Sequence, residues 1–121
     1  MQVIRGDRLQ WAAVDRFESR GFALSRMAGG AEADALFVAD IRLDPGGLIG
    51  RHPAVGDQCV VVLAGDAEVV DGEGRSERVS AGDAVFWADG EWHETRTRGG
   101  LTAIVVEAPR LYPGVRPLGG G

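Results

Sequence analysis

Apolar and polar residues alternate along most of the chain in short runs, each closed by a turn rich in glycine, proline or aspartate. The clearest run covers 36–43, where Phe37, Ala39, Ile41 and Leu43 point one way and Val38, Asp40 and Arg42 the other. A period of two is that of a strand with one buried face. Similar runs predict strands at Phe22–Met27, Leu48–Ala54, Gln58–Leu63, Ala67–Val70, Ser76–Val79, Ala84–Trp87, Trp92–Arg98 and Leu101–Glu107. Between them lie Asp44-Pro45-Gly46-Gly47, Gly65-Asp66, Asp71-Gly72-Glu73-Gly74, Ala81-Gly82-Asp83, Asp89-Gly90 and Gly99-Gly100, all strong turn sequences. About nine short antiparallel strands punctuated this way predict an all-β sandwich or barrel. Residues 1–20, with Leu9, Trp11, Val14 and Phe17, read as an irregular N-terminal arm or short helix, and 28–34 as a loop. Pro109, Pro113 and Pro117 predict an extended C-terminal tail that joins no central strand.

Composition narrows the chemistry. A chain of 121 residues, 45% hydrophobic and 26% charged, is expected to form one globular domain over 1–121. Its net charge of −5 gives no electrostatic support for binding nucleic acid or an anionic membrane. All 13 basic residues are arginine, which removes Schiff-base lysine chemistry. The single cysteine, Cys59, excludes an internal disulfide framework and a cysteine-based zinc knuckle. Arg5, Asp7 and Arg8 interrupt any secretory leader, and no apolar run reaches membrane-spanning length. A cytoplasmic domain is the expectation.

The chemical information is concentrated in two histidines. Gly46, five residues, His52, Pro53, Ala54, three residues, Gln58, six residues and Gly65 form the first pattern. Gly82, five residues, Ala88, Asp89, Gly90, two residues, His93, three residues and Thr97 form the second. In spacing and order the two stretches, 45–65 and 82–97, resemble the paired motifs of the cupin superfamily. The resemblance implies a single cupin barrel of jelly-roll type. In that family two histidines and a glutamate of the first motif join the second-motif histidine around one metal inside the barrel. Here the second histidine position holds Ala54 and the glutamate position holds Gln58. Only His52 and His93 carry over intact, with Gln58 as a neutral oxygen ligand. Ala88 and Thr97 replace the family's proline and asparagine.

Alternation orients the side chains. His52 shares its expected lumen face with Ala54, His93 with Thr95 and Thr97, and Gln58 with Val60 and Val62. Cys59, Glu94, Arg96 and Arg98 are expected outside, and Trp87 joins the lumen. Glu107 ends the last strand with its direction open. Gln58 is readable as a metal ligand, as an amide fixing a histidine tautomer, or as a direct donor to substrate.

Two functional classes follow. One is a small-molecule enzyme (oxygenase, isomerase or cyclase) using His52, His93 and Gln58 in the lumen. These three would hold a divalent iron, zinc, manganese, nickel or copper, or a histidine would act as general acid–base with no metal. The other is a non-catalytic cupin that binds or senses a small molecule without metal. The resemblance also implies a homodimer paired through sheet faces.

Overall fold

The computed structural model of the protein describes residues 9–29 and 36–111, together with positions 2, 5 and 7. Most of the expected 28–34 loop, and Pro113 and Pro117 of the tail, lie outside the described residues. Within them are eight strands: β1 (Ala12–Val14), β2 (Arg20–Gly29), β3 (Phe37–Pro53), β4 (Asp57–Asp71), β5 (Ser76–Ser80), β6 (Ala84–Trp87), β7 (Trp92–Arg96) and β8 (Leu101–Ala108). A 3-10 turn, Arg16–Glu18, follows β1. The architecture is all-β, as alternation predicts. No helix among the described residues is long and apolar enough to cross a membrane.

Two pairs of expected strands prove to be single long ones. The segments on either side of Pro45-Gly46-Gly47 are both β3, and Gln58–Leu63 and Ala67–Val70 are both β4. A turn sequence here bends a strand without ending it, because both flanks remain hydrogen-bonded. Residues 37–43 of β3 pair with β2 and β8, while the stretch from Leu48 to Pro53 pairs mainly with β7. In β4 the first half pairs with β6 and β8, the second with β5 and β7. The one hydrogen-bonded sheet is thereby folded into two layers. The core between them contains Ala39, Ile41, Leu43, Val62, Ala103 and Val105 from one layer and Ile49 and Ala67 from the other. Fully buried Leu43 and Val62 each stabilise the fold by roughly 1.5–3 kcal/mol.

The two folded strands define the ends of the barrel. At the closed end Gly65 has φ of +81°, and a Cβ there would overlap the Gly100 carbonyl oxygen. Thr97, expected in the lumen, is buried at this end instead. Its hydroxyl donates to the Asp66 carbonyl at 2.7 Å and accepts from the Gly100 N–H at 3.0 Å. Such a hydroxyl replaces backbone partners that a sharp corner leaves unpaired.

At the open end β3, β6 and β8 finish and β4 and β7 begin. Two aspartates tie the loops together. Asp89 accepts from the Gly56 N–H at 3.0 Å and Asp57 from the Asp89 N–H at 2.9 Å. Asp57 also accepts from the Leu111 N–H at 2.7 Å. Those backbone donors hold the Asp57 carboxyl below the usual carboxylate range.

Candidate functional site

A cavity of about 580 Å³ lies between the layers. Gln58, Val60 and Val62 line it in the alternation expected of β4, and Trp87 joins them. The lining then changes phase. In β3, Ile49 opposes Thr95 of β7 and His52 opposes His93, so Gly50 and Arg51 face only Glu94. This bulge turns His52 inward beside Ile49. A second irregularity, between Val62 and Ala64 of β4, passes the lining to Ala67 and Val69. Past His52 the simple alternation also fails, because β3 ends at Pro53. Ala54 is buried against Val69 and Trp87, outside the cavity lining, and Pro53 takes the place beside His52.

His52 and His93 are direct cross-strand partners, with ring centroids 4.4 Å apart and planes inclined at 53°. Each ring is pinned through Nδ1 to a backbone carbonyl two residues upstream. His52 uses Gly50 at 2.7 Å and His93 uses Glu91 at 3.0 Å. A carbonyl only accepts, so Nδ1 carries the hydrogen of each neutral ring and Nε2 keeps its lone pair. Trp87 stacks on His93 at 4.7 Å and 20°. Burial lowers the His93 pKa to about 4; the Glu91 carbonyl opposes this shift, and nearby His52 adds to it. His93 is therefore a neutral acceptor at pH 7.

The N-terminal arm contributes a flap that alternation gave no means of seeing. Phe17 stacks on His52 at 4.5 Å and 12°. Phe17 and Glu18 both have positive φ, 60° and 57°, an uncommon backbone for such residues and one found at sites fixed by their surroundings. The clamp is Gly50. Its N–H donates to the Ser19 hydroxyl at 2.9 Å, and a Cβ on it would overlap the Phe17 carbonyl oxygen.

Glu107, whose direction the sequence leaves open, continues the inward face of Leu101, Ala103 and Val105 in β8. It stands across from Gln58 in the β4–β8 ladder and accepts a 2.8 Å hydrogen bond from the Gln58 amide. Although on the last strand, it is 9% exposed and lines the cavity. Burial raises its carboxyl above the usual range, against the Gln58 hydrogen bond and the charges of Arg26 and His52. Thr95 also lines the cavity, whereas Cys59 and Glu94 do not. Glu94 instead pairs with Arg96, which also reaches Glu68.

A family model for the cupin domain matches residues 39–108, more than half of the chain, from the third residue of β3 to the end of β8. The chain belongs to the cupin family. No curated protein matches it. Among solved structures it is similar to a predicted oxalate decarboxylase from Thermotoga maritima, at 24% identity and TM-score 0.75, over 87% of this chain and 96% of that one. The polyketide cyclase RemF from Streptomyces resistomycificus aligns at 21% identity and TM-score 0.78, over 93% and 82%. KdgF from a Halomonas species aligns at 22% identity and TM-score 0.74, over 92% and 96%. At these identities the likeness is one of fold, and a cupin barrel hosts many chemistries.

A divalent transition metal held by protein takes three or four strong donors. This cupin offers the Nε2 atoms of His52 and His93 and a neutral amide. Among the described residues, no three histidine, cysteine, aspartate or glutamate side chains gather where they could hold an ion. The carboxylate of Glu107 is engaged by Gln58. The donor set does not fit a tightly held resident metal.

Proposed function

We propose that this cupin, as a single domain over 1–121, is a small-molecule enzyme of isomerase or cyclase kind that works by proton transfer in the barrel lumen. His52, His93 and Gln58 are its catalytic residues. His52, half-buried beneath Phe17, takes a proton from one substrate atom on Nε2 and returns it to another, ending the cycle neutral, while Nδ1–H stays on the Gly50 carbonyl. His93, neutral in its buried setting, accepts a hydrogen bond from a substrate hydroxyl and orients it. Gln58, its NH2 on Glu107, turns its carbonyl oxygen to a second substrate donor. Positioned proton transfer of this kind supplies roughly 10²–10⁴ in rate. The observation that carries the reading is the pair of pinned imidazoles, both leaving Nε2 as an acceptor on one apolar cavity. Small cavities with a few convergent polar groups are where ligands bind.

A second reading is favoured by Ala54 and Gln58, which replace two of the four family ligands: a non-catalytic cupin that binds or senses a small molecule.

The test uses full-length protein without a histidine tag, alongside His52→Ala and His93→Ala, with elemental analysis, a turnover screen and ligand-induced thermal shifts. We expect sub-stoichiometric metal and a loss of turnover of about 100-fold or more in each variant. Turnover retained in both variants overturns the reading. Stoichiometric metal lost in both would return His52, Gln58 and His93 to a ligand set, with metal-assisted chemistry, oxygenation included. Clear thermal shifts without turnover would establish the binding module. The proposal includes a homodimer, and a light-scattering mass near 12.8 kDa overturns that part.

A further inference from the structure

Four charged side chains line the mostly apolar cavity beside its histidines, Gln58 and Thr95: Asp15, Arg16, Arg26 and Glu107. Both arginines are exposed, which places them at its mouth. Among the described residues the ion pairs involve Arg75, Arg78 and Arg96, and neither Arg16 nor Arg26 takes part in one. Each guanidinium lies over an aromatic ring instead. Arg16 is 5.0 Å from the ring centroid of Phe17, and Arg26 is 4.8 Å from that of Phe37. A guanidinium over a ring spends no N–H donor on a carboxylate there, so its donors can still engage one on a ligand. Glu107 does not answer this need. It is hydrogen-bonded to Gln58, and burial outweighs the attraction of Arg26 in setting its ionisation. Asp15, exposed and one residue from Arg16, balances one of the two cations at most.

Beneath this rim the wall is unusually aromatic for a chain with 7% aromatic residues. Phe17, Phe22, Phe37 and Trp87 all border the cavity. The rings of Trp87 and Phe17 lie flat against His93 and His52. The volume of about 580 Å³ falls within the roughly 300–1,000 Å³ of small-molecule sites. Two cations at the mouth of such a cavity give an anion a local foothold on a chain of net charge −5.

We propose that the lumen takes an aromatic small molecule bearing a carboxylate. Its ring packs among Trp87 and the phenylalanines, and its carboxylate is held at the mouth by Arg16 and Arg26. This rests on the lumen being the small-molecule site, and it names the class of substrate that site admits. Arg16 belongs to the same flap as Phe17, so the flap supplies recognition as well as cover. A ligand anchored at the mouth by its carboxylate directs its far edge toward the paired Nε2 atoms of His52 and His93.

The experiment compares 2-naphthoate with its uncharged isostere 2-naphthamide, by calorimetry at low and moderate salt, on the full chain. Variants are Arg16→Gln, Arg26→Gln, the double variant and Trp87→Ala. We expect naphthoate to bind at least about ten-fold more tightly than the amide, a preference weakened by salt and abolished in the double variant. Trp87→Ala should weaken both ligands. Equal binding of the two ligands to the wild type, both weakened by Trp87→Ala, overturns the anion inference and leaves the lumen reading standing. A preference for naphthoate that survives in the double variant overturns the role of the two arginines. Binding of neither compound overturns the inference, while the enzyme reading is decided separately by the histidine variants.

Discussion

Gly50 lies so close to Phe17 that a β-carbon on the glycine would overlap the phenylalanine's carbonyl oxygen. The same glycine donates its N–H to Ser19, accepts from His52 Nδ1 through its carbonyl, and begins the bulge that turns His52 inward. One residue thus joins the flap, the tautomer of His52 and the phase of the lining.

Replacing Gly50 by alanine should cost about 1–3 kcal/mol, the range for forcing atoms into a filled site. It should also release Phe17 from His52. Urea denaturation reads the first effect, and the ring-current shift of the His52 protons reads the second. Wild-type values for both would show that the flap does not depend on Gly50.

Glu107 is a stability determinant with a defined pH sense. Its raised native pKa means the folded state favours the acid form. Its contribution is full below the ordinary carboxyl range and is lost as pH rises through the native value. Glu107→Gln keeps an acceptor for Gln58 and should match or exceed the wild type at pH 8, with the advantage shrinking on acidification. Glu107→Ala leaves the Gln58 amide unpaired and should cost about 1–3 kcal/mol. Melting curves of both variants across pH provide the check, and a Gln variant weaker than wild type at pH 8 would contradict it.

His93 acts in the opposite direction. Well above pH 6.5 it is neutral both folded and unfolded and contributes nothing to pH dependence. As pH falls from 6.5 toward about 4, the unfolded chain takes up a proton that native His93 refuses. The folded state should lose about 3 kcal/mol relative to His93→Gln by the lower end of that window. A stability difference between the two proteins that stays flat from pH 7 to 4.5 would rule this out.

Thr97 is predicted to matter for the closed end and not for the site. Thr97→Val removes a donor to Asp66 and an acceptor for Gly100 and should cost about 1–3 kcal/mol. Ligand affinity should be unchanged once the protein is folded; a weakened affinity would place Thr97 back at the lumen.

The sequence by itself determined the strand type, the family and the place of the two histidines. Alternation and turn chemistry are properties of neighbouring residues, so Ala39, Ile41 and Leu43 could be assigned to one buried face from their spacing alone. The glycine–histidine spacings likewise located His52 and His93 on strands that the fold pairs. The tertiary structure decided what surrounds them. The bulge at Gly50–Arg51 turns His52 inward, β3 ends at Pro53 and leaves Ala54 outside the ladder, and the turn sequences at 45–47 and 65–66 bend strands that stay paired on both flanks. Glu107 enters the site through a partner 49 positions away, and Phe17 through contact with Gly50 and His52. None of these follows from periodicity, because a bulge, a cross-strand partner and a docked flap are fixed by which distant backbone segments meet.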